Sequence, residues 1–295
     1  MTTIALEFVP PTTAGGPEAA REEAAKARDF MREFGLDRRV NSLLVPGMIS
    51  EESDRPVALA ERLDPLTTCT AIRDTLDLEP IVTQVTAFDS GRALGERIDA
   101  LSAARIRRAV FVGVPRTMQD GEGPGLSPMD ALGAFHEQMP DRGVILIPTR
   151  DAEKQRFEAK VRAGATFALT QLLFSDRVAD LLSEVEGDGN RPEILLSFAY
   201  VPKRESRVGL IRWLIRDETD AARDEMRFVE QLAPRSFAGK RAALVDLFKR
   251  VTDRARETGF PIGLHFETPY GFSRPAFETF AAMLETWEDE RPATG

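Results

Sequence analysis

Glu7 is the lone carboxylate in the first apolar run, Ile4-Ala5-Leu6-Glu7-Phe8-Val9, which stops at Pro10-Pro11. The run reads as a short buried strand ended by two prolines. Inside such a strand a carboxylate loses hydration, which favours its neutral form. A carboxylic acid still neutral near pH 7 can donate a proton. The competing reading is a strand whose alternate face meets solvent, with Glu7 merely exposed. Gln171 is the second candidate, inside Phe167-Ala168-Leu169-Thr170-Gln171-Leu172-Leu173-Phe174. An amide carries both donors and an acceptor and suits the edge of a heterocycle. Its competing reading is a hydrogen bond to a neighbouring strand end. His265, in Gly263-Leu264-His265-Phe266, reads as a satisfied structural histidine rather than a catalyst. Cys69 has no histidine near it in sequence and reads as a packed small residue.

These residues need elements to hold them. Short Val/Ile/Leu-rich runs predict strands at 4–9, 40–45, 80–86, 108–114, 143–147, 166–174, 193–201 and 262–267. Amphipathic stretches predict helices at 18–34, 55–63, 91–104, 128–138, 152–163, 175–185, 204–216, 222–232, 238–258 and 274–289. Ser273 is the expected N-cap of the last, with Pro275 in its first turn. Eight strands alternating with helices indicate a parallel α/β protein, and eight is the number that closes a TIM barrel, (βα)8. The alternative is a doubly wound open sheet, but no G-x-G-x-x-G follows any strand. One barrel is expected across residues 1–295, since α/β barrels of this size form one domain, with extra helices around 217–258. The Gly/Pro-rich stretches at 10–17 and 119–125 are expected as loops at strand C-termini, where barrel enzymes keep their active sites. The polar residues at those ends are Glu7, Glu51 and Glu52, Thr83 with Gln84, Gln171, Tyr200 and Glu267.

Composition removes several function classes. Of 295 residues 42% are hydrophobic, net charge is −9, and no Lys/Arg-rich cluster stands out. Nucleic acid and anionic membrane are therefore not expected partners. No signal-peptide pattern and no apolar run near 18 residues is present, so a cytoplasmic location is expected. One cysteine excludes an internal disulfide, and two distant histidines argue against a His/Cys zinc site. No metal site is assigned, although a carboxylate-held Mg²⁺ stays open. Nucleophile elbow, P-loop and kinase signatures are all missing.

Several motifs, in the same order, resemble the methylenetetrahydrofolate reductases, whose catalytic domain is a (βα)8 barrel. Leu6-Glu7-Phe8-Val9-Pro10-Pro11 resembles that family's Phe-Glu-Phe-Phe-Pro-Pro. Gly47-Met48-Ile49-Ser50-Glu51-Glu52-Ser53-Asp54-Arg55 resembles Gly-Ala-x-Ser-Gly-Glu-Arg-Asp-Arg. Lys160-Val161-Arg162-Ala163-Gly164-Ala165-Thr166-Phe167-Ala168-Leu169-Thr170-Gln171 resembles Lys-Val-x-Ala-Gly-Ala-x-x-Ala-Ile-Thr-Gln, and is the most specific. Gly263-Leu264-His265-Phe266-Glu267-Thr268 resembles Gly-Phe-His-Phe-Tyr-Thr. The resemblance implies Glu7 as general acid, Gln171 against the pterin, and Lys160 near flavin phosphates. It implies weaker roles for Thr83 and Gln84 toward substrate, and for Glu52, Val45 and Gly113 toward cofactor.

The departures concern FAD. Val45-Pro46 stands for the family's Thr-Tyr pair, Ile81-Val82-Thr83-Gln84 for His-Leu-Thr-Cys, and Gly113-Val114-Pro115 for Arg-Gly-Asp. Arg116 is shifted by comparison, and a bidentate guanidinium is not replaced by a displaced one. The expected activity is therefore reduction of 5,10-methylenetetrahydrofolate by direct hydride transfer from NADH or NADPH, in one-carbon metabolism that serves methionine biosynthesis. A conventional FAD-dependent reductase, a non-catalytic folate-binding barrel and another pterin-using barrel are the alternatives. NADH versus NADPH, oligomeric state, physiological direction and regulation stay open.

Overall fold

A computed structural model of the chain describes residues 2–47, 60–113, 125–186, 191–202, 205–215 and 219–287. Each predicted apolar run carries a strand: β1 (Ile4–Glu7), β2 (Ser42–Val45), β3 (Glu79–Val85), β4 (Arg108–Val112), β5 (Asp141–Leu146), β6 (Phe167–Thr170), β7 (Glu193–Ala199) and β8 (Ile262–Glu267). Successive strands pair in parallel and β8 returns to β1, closing an eight-stranded TIM barrel. Around it run α1 (Gly16–Glu33), α2 (Pro65–Ile72), α3 (Gly91–Ala103), α4 (Pro128–Ala134), α5 (Glu153–Arg162), α6 (Arg177–Glu184), α7 (Glu205–Leu214), α8 (Asp220–Leu232), α9 (Phe237–Glu257) and α10 (Arg274–Thr286).

The strands are buried on both faces, so they read as continuous apolar runs rather than alternating ones. Two cores result. Ala5, Leu44, Ile81, Val110, Phe167, Leu169 and Leu195 fill the inside of the barrel. Ile4, Leu6, Leu43, Val45, Val82, Phe111, Leu196 and Phe266 face the helices. This two-residue parity decides which polar side chains point inward. Gly143 shows how tightly the interior is filled: a Cβ there would lie 2.4 Å from the Phe167 ring.

Short polar residues start several helices. Asp64, Ser90, Ser127, Thr219 and Ser236 each accept a first-turn backbone N–H. Ser273 does occupy the N-cap of α10 with Pro in the first turn, but its hydroxyl makes no capping bond. The helix predicted at 55–63 is corrected: residues 60–63 are not helical, and α2 begins at Pro65 behind the Asp64 cap. Arg62 holds this approach extended, bridging to Thr12 and donating to the Pro10 carbonyl at 3.0 Å. Residues 48–59, with Glu51 and Glu52, and most of the 119–125 loop lie outside the described residues.

The predicted extra helices at 217–258 are also revised. Helix α9 packs against both α6 and α10, so it takes the ring position before β8. The inserted elements are α7 and α8. They lie over the C-terminal ends of β5 and β6, where Thr219 Oγ1 donates to the Thr149 carbonyl at 2.7 Å. Among the described residues, no helix is long and apolar enough to cross a membrane.

Candidate active site

Glu7 is the last residue of β1 and shares the inward parity of Ala5. It is 9% exposed. The Thr268 backbone N–H donates to Glu7 Oε2 at 2.7 Å, and the Thr268 hydroxyl donates to the Glu7 carbonyl at 2.9 Å. Burial pushes the Glu7 carboxyl up to about 7, against the pull of that N–H. The solvent-exposed reading of Glu7 therefore does not hold.

Glu267 ends β8, the strand beside β1. Burial raises its carboxyl well above the ordinary range, the Glu7 charge raises it further, and the Ser197 hydroxyl opposes both. His265, two residues earlier, shares its face and lies in register with Ala5 and Ser197. The ring is 1% exposed, and burial pushes its pKa down to about 3, so it is neutral. Its Nδ1 sits 3.0 Å from Ser197 Oγ and 3.7 Å from Glu267 Oε1. With a neutral ring the second contact is not an ion pair. The Ser197 hydroxyl also lies 2.8 Å from the Thr170 carbonyl, and the Ser197 N–H donates to Thr170 Oγ1 at 2.9 Å. Thr170, Ser197, His265, Glu267 and Glu7 thus form a polar arc across β6, β7, β8 and β1.

Gln171 lies just past β6 with inward parity. Its side-chain N–H donates to the Leu214 carbonyl of α7 at 2.9 Å, so the inserted helices orient the amide. Thr83, inward on β3, accepts the Gly47 N–H at 2.7 Å. Four other described candidates, Gln84, Val45, Gly113 and Lys160, make their contacts outside this arc. Gln84 has the opposite parity, is 4% exposed, and donates to its neighbour's carbonyl at Val85. Val45 packs in the outer core. The missing Cβ of Gly113 would meet Pro128 of α4. Lys160 donates to the Ile145 carbonyl at 2.7 Å and to Glu153 at 3.0 Å, joining α5 to β5. Glu52 lies outside the described residues. Cys69 is buried in α2 and its thiol is pushed up to about 12, mainly by burial, so it is no nucleophile.

Sequence reasoning missed Ser197 and Thr170 and gave His265 no partner. The available signals were the i, i+2 spacing of His265 and Glu267 and a serine inside the apolar run Leu195-Leu196-Ser197-Phe198. Among the described residues no His/Cys/Asp/Glu cluster could hold a metal ion. Toward the C-terminal ends of β2, β3 and β4 the inner wall is apolar, made of Leu44, Ile81, Val110 and Val112, with Thr83 as the polar inward side chain. A separate cleft of about 280 Å³ opens at the opposite end of the strands, lined by Thr2, Glu193, Arg256, Phe260, Pro261, Ile262 and Trp287. Barrel chemistry sits at the other face, and this end serves stability.

Among solved structures, 124 chains match this one. They include the long-chain alkane monooxygenase, 9% identical, which covers 97% of this chain and 91% of its own at a TM-score of 0.52. At that identity the likeness shows the barrel fold alone. No curated protein matches. The family model described as mycobacterial methylenetetrahydrofolate reductase matches residues 1–291, which indicates an enzyme with methylenetetrahydrofolate reductase-like function. That match takes in the Glu7 strand, the Gln171 segment and the β8 end alike, and the chain belongs to the mycobacterial methylenetetrahydrofolate reductase family.

Proposed function

We propose that the protein reduces 5,10-methylenetetrahydrofolate to 5-methyltetrahydrofolate, with NADH or NADPH as direct hydride donor and Glu7 as general acid. The observation that carries this reading is a buried carboxyl at the C-terminal end of β1 whose pKa is lifted to about 7. Ring opening needs a proton on N10 of the substrate. Glu7 donates it as the N10–carbon bond breaks and leaves a 5-iminium cation. The resulting Glu7 carboxylate then stabilises that cation at short range in a site that excludes most water. Gln171, oriented by the Leu214 carbonyl, offers its amide to the pterin edge.

When bound, the reduced nicotinamide supplies the hydride. The apolar wall of Leu44, Ile81, Val110 and Val112 suits the flat face of its ring. Thr83 accepts the Gly47 N–H and keeps a hydroxyl proton to donate. Direct transfer is supported by the C-terminal ends of β2 to β4, which among the described residues bring no inward-facing cation for a flavin's phosphates.

The test is NADH or NADPH oxidation by purified protein with methylenetetrahydrofolate and no added flavin. Pterin-dependent oxidation in a preparation free of flavin absorbance is expected. Oxidation only after FAD is added would favour a conventional reductase, and pterin binding without turnover a non-catalytic barrel. Glu7→Gln keeps the shape but lacks the acidic proton. It should bind pterin and lose roughly a hundredfold or more in rate, the scale of general acid catalysis. Near wild-type turnover in that variant would remove Glu7 from the mechanism.

A further inference from the structure

We propose that Glu267 is a positioning residue of the site, which shares one proton with Glu7, so that the pair gives up its last proton at higher pH than a single carboxyl would. The inference rests on Glu7 being the acid. Geometry carries it. Glu7 and Glu267 follow immediately after the registered pair Leu6 and Phe266, so their side chains leave neighbouring strands at one level on the inner face. Adjacent strands lie only about 4.8 Å apart. The residue after Glu267 supplies the N–H that pins Glu7 Oε2, so the end of β8 positions both carboxyls.

Two buried carboxyls at that spacing do not both ionise readily, since each charge opposes the other in a weakly screened interior. Groups facing the pair are few. From β8 comes His265, neutral and 3.7 Å from Glu267 Oε1. From β7 comes the Ser197 hydroxyl, whereas Tyr200 beyond that strand packs near Phe237 of α9. Lys240 of α9 faces Tyr200 and donates to the Val201 carbonyl at 3.1 Å. From β2 and β6, Leu44 and Leu169 do not titrate. No cation is among the described groups that act on either carboxyl, so a proton rather than a counter-ion offsets the second charge.

The balance in turnover is simple. The pair enters with one proton and one charge. Glu7 gives the proton to N10 and the pair holds two charges beside the substrate cation. Hydride addition removes that cation, and solvent returns one proton through Glu267, whose side chain is 14% exposed.

Glu267→Gln leaves Glu7 as a single buried carboxyl with no partner to share its proton. The alkaline limb of kcat should move to lower pH than in the wild type. At pH 8.5 the variant should fall about tenfold or more further below its own acid plateau than the wild type does.

Infrared counting of carboxylic C=O at pH 8.5 reads the same proton without turnover, and wild type should retain one more than Glu267→Gln. Superimposable pH profiles with equal proton counts would overturn the inference and leave the reductase reading intact. A wild type with no pterin-dependent turnover would defeat the reductase reading, and the proton count would still decide the pairing.

Discussion

Glu225 gives the sharpest check on how this barrel holds its inserted helices. It lies on α8, is 2% exposed, and accepts the Ser175 hydroxyl at 2.5 Å. Burial lifts its carboxyl from 4.5 to about 7, opposed by the Ser175 hydroxyl and the N–H groups of Phe174 and Ser175. In the folded state it therefore binds its proton more tightly than in the unfolded state. That contribution to stability is full below about 4.5 and is lost as pH rises through about 7. Between pH 5.5 and 8.5 the loss integrates to about 2 kcal/mol for this one group. Glu225→Gln abolishes the titration. The amide swap also costs something at every pH, since it loses an acceptor oxygen, so the informative quantity is the change in the mutant–wild-type difference. Urea unfolding at the two pH values should show that difference moving by about 2 kcal/mol in the mutant's favour at pH 8.5. With an m-value of about 3 kcal/mol/M, the relative midpoint should shift by roughly 0.7 M. Glu7 and Glu267 titrate in both proteins and cancel. Parallel pH dependences would refute the buried, proton-holding account of Glu225.

Other expectations follow from single contacts. Gly143→Ala places a methyl against the Phe167 ring and should destabilise the barrel by about 1–3 kcal/mol, read by thermal or urea unfolding. Arg108 is held between Thr3 Oγ1 at 3.1 Å and Glu193 at 3.0 Å at the N-terminal end of the barrel. Arg108→Ala removes that ion pair while Glu193 keeps its two bonds from Thr3, and should cost about 1–2 kcal/mol, with kcat of the folded enzyme unchanged. Asp64→Ala removes the α2 cap and should cost about 1 kcal/mol in the same unfolding assay.

Much of the frame was legible in the chain. Parallel strands buried on both faces leave apolar runs, and amphipathic helices leave a periodic stripe, as with Ala20, Ala24, Ala27 and Met31 of α1. Those two patterns found all eight strands to within a few residues. The same continuity hid which face of each strand points inward. Thr83 and Gln84 looked equivalent, yet parity turns one to the interior and the other to the helices. Helix α2 was not predicted, and residues 60–63, the described part of the helix predicted at 55–63, run extended with a bridge at Arg62. Lys160 matched a family motif, but its ammonium joins α5 to β5.

Sequence alone determined the alternation that makes a barrel, the solitary carboxylate in the first strand, and the amide after the sixth, because these depend on residue type and local spacing. Tertiary structure decided what those groups meet. Barrel closure brings β8 beside β1, sets Glu267 next to Glu7 across 260 residues of chain, and buries both away from any described cation. Desolvation and like charge act through space, so the proton that this pair holds could be read only once the strands were closed.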